Sequence, residues 1–240
     1  MSTNKLKLNA EKTECVVVGP KSRRLESGLT TLVIGDTEVP VSEIVKDLGV
    51  ILDSDLSTDS HISQITKMCF LQLRNISNIR KYLTKESAII LILSLVMTRI
   101  DFCNSLLVGA SAVQINRLQR VQKSLARKQD HITPTLKDLH WLPVQHRVTF
   151  KILCLAHRCL SGDTPGYLQD LLPIYSPTRS LRSESKLLCR IPNIKTVRYG
   201  QRSFSYAVTS AWNSLPESIR RSLNLMSFRR QLKTYLFQQL

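Results

Sequence analysis

Acidic side chains are scarce in this sequence: 18 Asp plus Glu face 34 Lys plus Arg, a formal net charge of +16. No two aspartates stand side by side. Two-metal phosphoryl transfer needs clustered carboxylates holding divalent ions about 3.5–4 Å apart, and the chain offers no ready cage of that kind. Asp53 and Asp55 come nearest, in a Ser- and Asp-rich stretch (53–60) that reads as a solvated turn. A Gly-x-Ser-x-Gly elbow and a complete P-loop are also missing, since Gly19-Pro20-Lys21-Ser22 has the wrong spacing. The longest apolar run, Ala88–Met97, is broken by Ser94 and ended by Arg99. A bilayer needs ~20 apolar residues, so no membrane partner is expected. Residues 1–14 lack the apolar core of a secretory leader. The expected location is therefore intracellular, nuclear or cytoplasmic, and not secreted.

Paired Cys-x-x-Cys motifs are absent too. The six cysteines are Cys15, Cys69, Cys103, Cys154, Cys159 and Cys189, several of them inside apolar helical runs where cysteine acts as a small hydrophobe. Cys154, His157 and Cys159 lie close in sequence, but a structural zinc site needs four ligands. Core packing is the better reading, and no metal site is assigned. His61, His131, His140 and His146 have no acid–base partner in the sequence.

The positive charge is unevenly spread. Residues 1–60 carry 7 basic and 10 acidic residues, whereas residues 61–240 carry 27 and 8. A basic field of that size favours polyanions, nucleic acid first. The competing reading is a basic solvated surface with no dedicated partner.

Three regions follow from the hydrophobic pattern. Residues 1–58 read as β-containing: a strand over Glu14–Gly19, a hairpin around Gly35-Asp36, and a buried strand at Leu48–Leu52. Residues 61–162 read as a helical bundle. Ile62, Ile65, Cys69, Leu73, Ile76 and Ile79 recur at spacings of three and four. Thr84 is placed to cap a helix running to about Leu107 and stopping at Gly109. Ser111–Lys128 and Val144–Leu160 are two further helices, the latter closed by Gly162. Residues 163–240 are punctuated by proline and basic, with a last helix over Ser227–Leu240 capped by Ser227. The expected class is α+β, predominantly α-helical.

Candidate phosphate contacts follow from spacing. Arg117, Arg120, Lys123 and Arg127 fall at intervals of three and four and define one basic stripe, opposite an apolar stripe of Ile115, Leu118, Val121 and Leu125. Arg74, Arg80, Lys81 and Lys128 are further candidates. Toward the C-terminus, Arg179, Arg182, Arg190, Lys195, Arg198 and Arg202 are interleaved with Tyr175, Tyr199, Phe204 and Tyr206, a mixture that suits single strands. Trp141 and Trp212 each stand near a proline in an apolar setting, which favours burial over base stacking.

A series of segments occurs in a familiar order: LKLNAEKTE (6–14), VKDLGVILD (45–53), HISQITKMCFLQLRNI (61–76), RIDFCNSLLVG (99–109), LQRVQKSLAR (118–127) and HITPTLKDLHWLPVQHRVTFKI (131–152). GDTPGYLQDLL (162–172), SLRS (180–183), YGQRSFSYAVTSAWNSLPESIR (199–220) and SFRRQLKTYLF (227–237) complete it. Together they resemble the distal part of the reverse transcriptase of non-LTR (LINE-type) retrotransposons, from motif D onward. The resemblance implies a palm remnant over 1–58 with motif D and primer-grip strands, a thumb-like bundle over 61–162, and a basic C-terminal region over 163–240. It implies that the catalytic aspartates lie upstream of motif D, and that Lys12 matches the lysine thought to protonate the leaving pyrophosphate. It also implies a small deletion at Lys128-Gln129-Asp130. The intact family enzyme would need Mg2+; for this chain no cofactor and no catalysis are expected, only weak, sequence-independent binding of RNA or DNA. The alternatives are a non-enzymatic helical interaction module of the same origin, or a poorly folding product.

Overall fold

A computed structural model describes residues 9–35, 37–125, 140–175, 187–196 and 199–240. The fold is α+β and predominantly helical, with two small antiparallel sheets near the N-terminus. It divides into two compact units, residues 1–68 and 69–240. No helix among the described residues is long and apolar enough to cross a membrane.

In the first unit, β1 (Thr31–Ile34) pairs with β2 (Thr37–Pro40), with Ile34 opposite Thr37. Gly35 turns the chain at φ 62°, a conformation glycine adopts without penalty. β3 (Ile44–Asp47) pairs with β4 (Val50–Asp53). The stretch expected as one strand, Leu48–Leu52, is half turn: Leu48 and Gly49 both have positive φ, 45° and 89°. That pair of signs matches the right-handed twist of a two-residue hairpin. Val39, Val45 and Val50 are buried, whereas β1 leaves Leu32 and Val33 exposed.

The expected strand over Glu14–Gly19 is a single bridge, Cys15 to Val41. Its backbone bonds are scattered, not laddered: Ser42 N donates to Cys15 O at 2.8 Å and Gly19 N to Ser54 O at 3.1 Å. The Glu14 carboxylate takes the Lys46 N–H at 2.8 Å, using a side chain where a strand would offer a carbonyl. Helix α1 (Lys21–Ser27) follows Pro20 and ends at Gly28, φ 58°.

Helix α2 (Asp59–Ile79) begins where the serine-rich loop ends. Its His61 is buried, and the Nδ1 accepts the Ile51 N–H at 3.4 Å. In the second unit, Thr84 caps α3 (Lys85–Ile92) through the Ser87 N–H, as expected. The helical run reaches Leu107 only through a separate 3-10 turn, Asn104–Leu107. A π-helical turn, Leu93–Met97, leads into α4 (Thr98–Asp101), and the chain then breaks at Cys103, φ 51°. Thr98 and Arg99 side chains donate to Ser94 O and Leu95 O on the preceding turn, and Phe102 is extended.

Helix α5 (Ala112–Lys123) opens with a capping box: Ser111 accepts the Gln114 N–H, and the Gln114 side chain accepts the Ser111 N–H. Helix α6 (Val144–Leu160) has the expected bounds and packs against α4, α5 and three later helices: α7 (Gly166–Gln169), α8 (Phe204–Asn213) and α10 (Leu225–Gln238). Between the last two lies the short α9 (Glu217–Arg220). The cap of α10 is Asn224, not Ser227: the Asn224 Oδ1 accepts the Ser227 N–H at 2.8 Å, three residues earlier than the sequence suggested. The core gathers Ile152, Leu153 and Ala156 of α6, Val208 and Trp212 of α8, and Phe228, Leu232 and Leu236 of α10. Residues on both sides of position 162 therefore contribute to this core. Trp212 stacks on Phe228 with ring centroids 5.7 Å apart, and Trp141 is also buried.

Two glutamines fasten α5 to the start of α6. Gln122, fully buried, donates to Leu142 O at 2.9 Å. Gln119 donates to Gln122 Oε1 at 2.9 Å and accepts the Val144 N–H at 2.9 Å. That N–H is an orphan of the first turn of α6, satisfied here from another helix. Gln122→Ala is expected to cost about 2–3 kcal/mol, because it strands a buried carbonyl and the Gln119 amide. Thermal unfolding followed by circular dichroism should then move down by roughly 5–10 °C; an unchanged midpoint would deny the latch its role.

His61 and His146 both sit below the usual histidine value of 6.5, because burial disfavours the charged ring. As pH falls below 6.5, the unfolded chain takes up protons before the folded one. Stability is therefore complete above that value and declines as acidity approaches the folded values. Urea midpoints should drop from pH 7.5 to pH 5.5, and a His61→Gln, His146→Gln variant should show a flatter profile.

Candidate nucleic-acid interface

The basic stripe on α5 is partly as expected. Arg120 and Lys123 are exposed, whereas Ile115, Leu118 and Val121 are buried on the other side of the helix. Arg117 is half-buried. Arg127 and Lys128 lie outside the described residues, as do Arg179, Arg182 and Arg198. The stripe that the structure displays is thus Arg120 and Lys123, flanked by Arg117.

Of the C-terminal candidates, Arg190 and Lys195 are exposed on an irregular segment. That segment is held by a mimic of strand pairing: Asn213 exchanges two 2.8 Å hydrogen bonds with the backbone of Cys189. Arg202 has a structural setting. Its Cγ lies 2.5 Å from where a Cβ on Gly109 would stand, and its Nε donates to Val108 O at 3.4 Å. Glycine at 109 is needed for that approach and for φ 71°. Tyr175 is exposed, and Phe204 packs partly buried on the core.

The WNSLP stretch has a mainly structural use. The Trp212 indole donates to Leu187 O at 2.9 Å, Leu215 is buried, and Pro216 precedes α9. Arg220, itself buried, donates to the carbonyls of Asn213 and Leu215 at the end of α8. A guanidinium there suits the negative end of a helix.

In the first unit, Lys12 ends a 3-10 turn, Ala10–Lys12, and is exposed. The two aspartates nearest to a metal-binding pair are committed elsewhere. Asp53 Oδ1 accepts the N–H groups of Asp55 and Ser57 at 3.1 and 2.8 Å, and its Oδ2 accepts the Ser57 hydroxyl at 2.7 Å. Asp55 pairs with Arg24 at 3.2 Å. This is an Asx turn with an ion pair, and it does not fit a two-cation cage. Among the described residues no group of three or more His, Cys, Asp or Glu is placed to hold a metal ion. Cys154, His157 and Cys159 are all buried, and the His157 ring lies against Phe228 with centroids 4.6 Å apart.

Spacing alone did not single out a second basic cluster. Lys151 and Arg229 are exposed and both act on Cys154, so α6 and α10 present their cations to a common neighbourhood. Lys233 follows one turn after Arg229, with its Nζ 5.9 Å from the Phe237 ring. Arg147, one turn before Lys151, binds the Asp101 carboxylate through two N–H groups, with Nε to Oδ1 at 2.7 Å. The signal was present as two pairs at spacing four, 147/151 and 229/233, but their convergence needs the packing of α6 on α10.

The second unit contains 26 basic and 8 acidic residues. Three of those acids are spent on ion pairs with Arg147, Arg158 and Arg221. Comparison with protein-family models, curated proteins and solved structures finds no match.

The buried thiols give a direct check on this arrangement. Burial pushes Cys69 and Cys189 up to about 11 and also raises Cys154, against the pull of Arg229. Iodoacetamide at pH 8 should therefore label the half-buried Cys15 and Cys103 first. Mass spectrometry should find Cys69, Cys154, Cys159 and Cys189 unmodified until denaturant is added, with or without zinc; early labelling of Cys154 that zinc suppresses would point to a metal ligand instead.

Proposed function

We propose that the chain is a piece of a LINE-type RNA-directed DNA polymerase that holds nucleic acid by its phosphates and does not itself polymerise. The ordered segments from LKLNAEKTE through LHWLP and WNSLP to SFRRQLKTYLF support the origin. The absence of an Asp-Asp pair in the sequence, and the use of Asp53 and Asp55 in a turn, support the lack of catalysis. The partner is RNA or DNA of any sequence, and the chain acts in the nucleus or cytoplasm.

The observation that carries the binding reading is the placement of Arg120 and Lys123. They stand exposed across α5 from Leu118 and Val121, which are fully buried. The core fixes which way α5 faces, so the cations are held outward without any ligand to orient them. Contacts of this kind read no bases and release counterions, so they weaken steeply with salt.

Fluorescence anisotropy with a labelled duplex tests the reading. With about five phosphates neutralised, affinity should fall roughly 500-fold between 50 and 200 mM salt. Arg120→Ala with Lys123→Ala should lower the slope of log affinity against log salt by about two, with the thermal midpoint unchanged. Salt-insensitive binding, or self-association without nucleic acid binding, would favour a protein-interaction module instead.

A further inference from the structure

A cavity of about 300 Å3 opens beside α6 in the second unit, lined among others by Asp101, Asn104, Arg147, Phe150, Lys151 and Lys233. Its size is at the lower end of small-ligand sites. Its charge is unbalanced. The Asp101 carboxylate is taken by the Arg147 guanidinium through a two-point contact, which leaves the ammonium groups of Lys151 and Lys233 uncancelled by any lining carboxylate among the described residues. The remaining excess of two positive charges matches a phosphate monoester, which carries about −1.5 to −2 at neutral pH.

Other features narrow the ligand. Phe150 and Leu142 give the cavity an apolar wall, so the phosphate should be attached to a group with a hydrophobic face. Asn104 is buried, and its Nδ2 faces Asp101 Oδ1 at 3.4 Å. That contact fixes the amide orientation, because a flipped amide would set oxygen against carboxylate. Asn104 Oδ1 is then a buried acceptor with no hydrogen-bond partner. The arrangement is anchored on helices: Asp101 ends α4, Arg147, Phe150 and Lys151 lie on α6, and Lys233 on α10.

We infer that this cavity is a pocket for a nucleoside phosphate, with Lys151 and Lys233 on the phosphate and Phe150 beside the ring system. The ligand is either a free mononucleotide or the phosphorylated end of a strand; the strand-end form rests on the nucleic-acid reading above, while the mononucleotide form does not. The Asp101–Arg147 contact is a positioning element: it occupies the Asp101 carboxylate and keeps it from competing with the ligand.

The test uses the full chain and three probes: a 5′-phosphorylated oligonucleotide, the same oligonucleotide with a 5′-hydroxyl, and adenosine monophosphate. The phosphorylated strand should bind about tenfold more tightly than the hydroxyl form. Lys151→Gln with Lys233→Gln should abolish that difference, so that the two strand ends bind alike whatever affinity both lose with the two cations. Lys151 is exposed and Lys233 half-buried, and an unchanged thermal midpoint confirms that the variant is folded. Adenosine monophosphate binding that the double variant loses, without a strand-end preference, assigns the pocket to free nucleotide. Equal affinity for both strand ends and no mononucleotide binding would overturn the pocket while leaving the salt-dependent duplex reading intact. A strand-end preference that survives the double substitution would overturn it as well.

Discussion

Helix α6 cannot stand in water on most of its circumference, and the second unit is arranged around that constraint. Val144, Val148, Ile152, Leu153, Cys154, Ala156, His157 and Cys159 are all buried along it. Burying one large apolar side chain is worth about 1.5–3 kcal/mol, so the helix must be covered from several directions at once. Helices α5, α8 and α10 supply the cover, with Trp212, Phe228, Leu232 and Leu236 filling the spaces. Removing Phe228 or Trp212 would open a cavity where three helices meet, a change that typically costs about 3–5 kcal/mol.

The same constraint decides where the charge goes. Once α5, α6 and α10 have given their apolar faces to the core, Arg120, Lys123, Lys151, Arg229 and Arg230 are left exposed. Individually such cations contribute little to stability. Collectively they give the unit a positive field, and three of its eight carboxylates, Asp101, Asp163 and Glu217, are already taken by ion pairs. Several polar side chains that enter the interior serve the backbone. Gln122 and Gln119 serve the start of α6, Asn213 serves Cys189, and Arg220 serves the end of α8. Each closes backbone groups that the ends of helices or an irregular segment leave open.

The sequence showed most clearly what depended on local period. Val144–Leu160 was legible at both ends, because Pro143 starts it and Gly162 follows it around a strong three-four pattern. The buried seam of α5 and the Thr84 cap were legible for the same reason. The run from Ala88 was not, because an all-apolar stretch has no phase to show where a helix should stop; the break at Phe102 and Cys103 has no sequence signature of its own. The start of α10 was misplaced because Asn224 and Ser227 are both good caps, and only geometry chooses. Glu14–Gly19 has strand composition without a partner ladder. The cluster of Lys151, Arg229 and Lys233, and the cavity beside it, depend on two helices far apart in the chain and adjacent in space, which no periodicity can reveal.

Photo-crosslinking to a thionucleotide-substituted duplex, read out by peptide mass spectrometry at low salt, tests the central claim most directly. The account predicts crosslinked peptides from the second unit, led by α5 and by the facing surfaces of α6 and α10. Crosslinks confined to residues 1–68, or none at a concentration where the duplex is fully exposed to the protein, would contradict it.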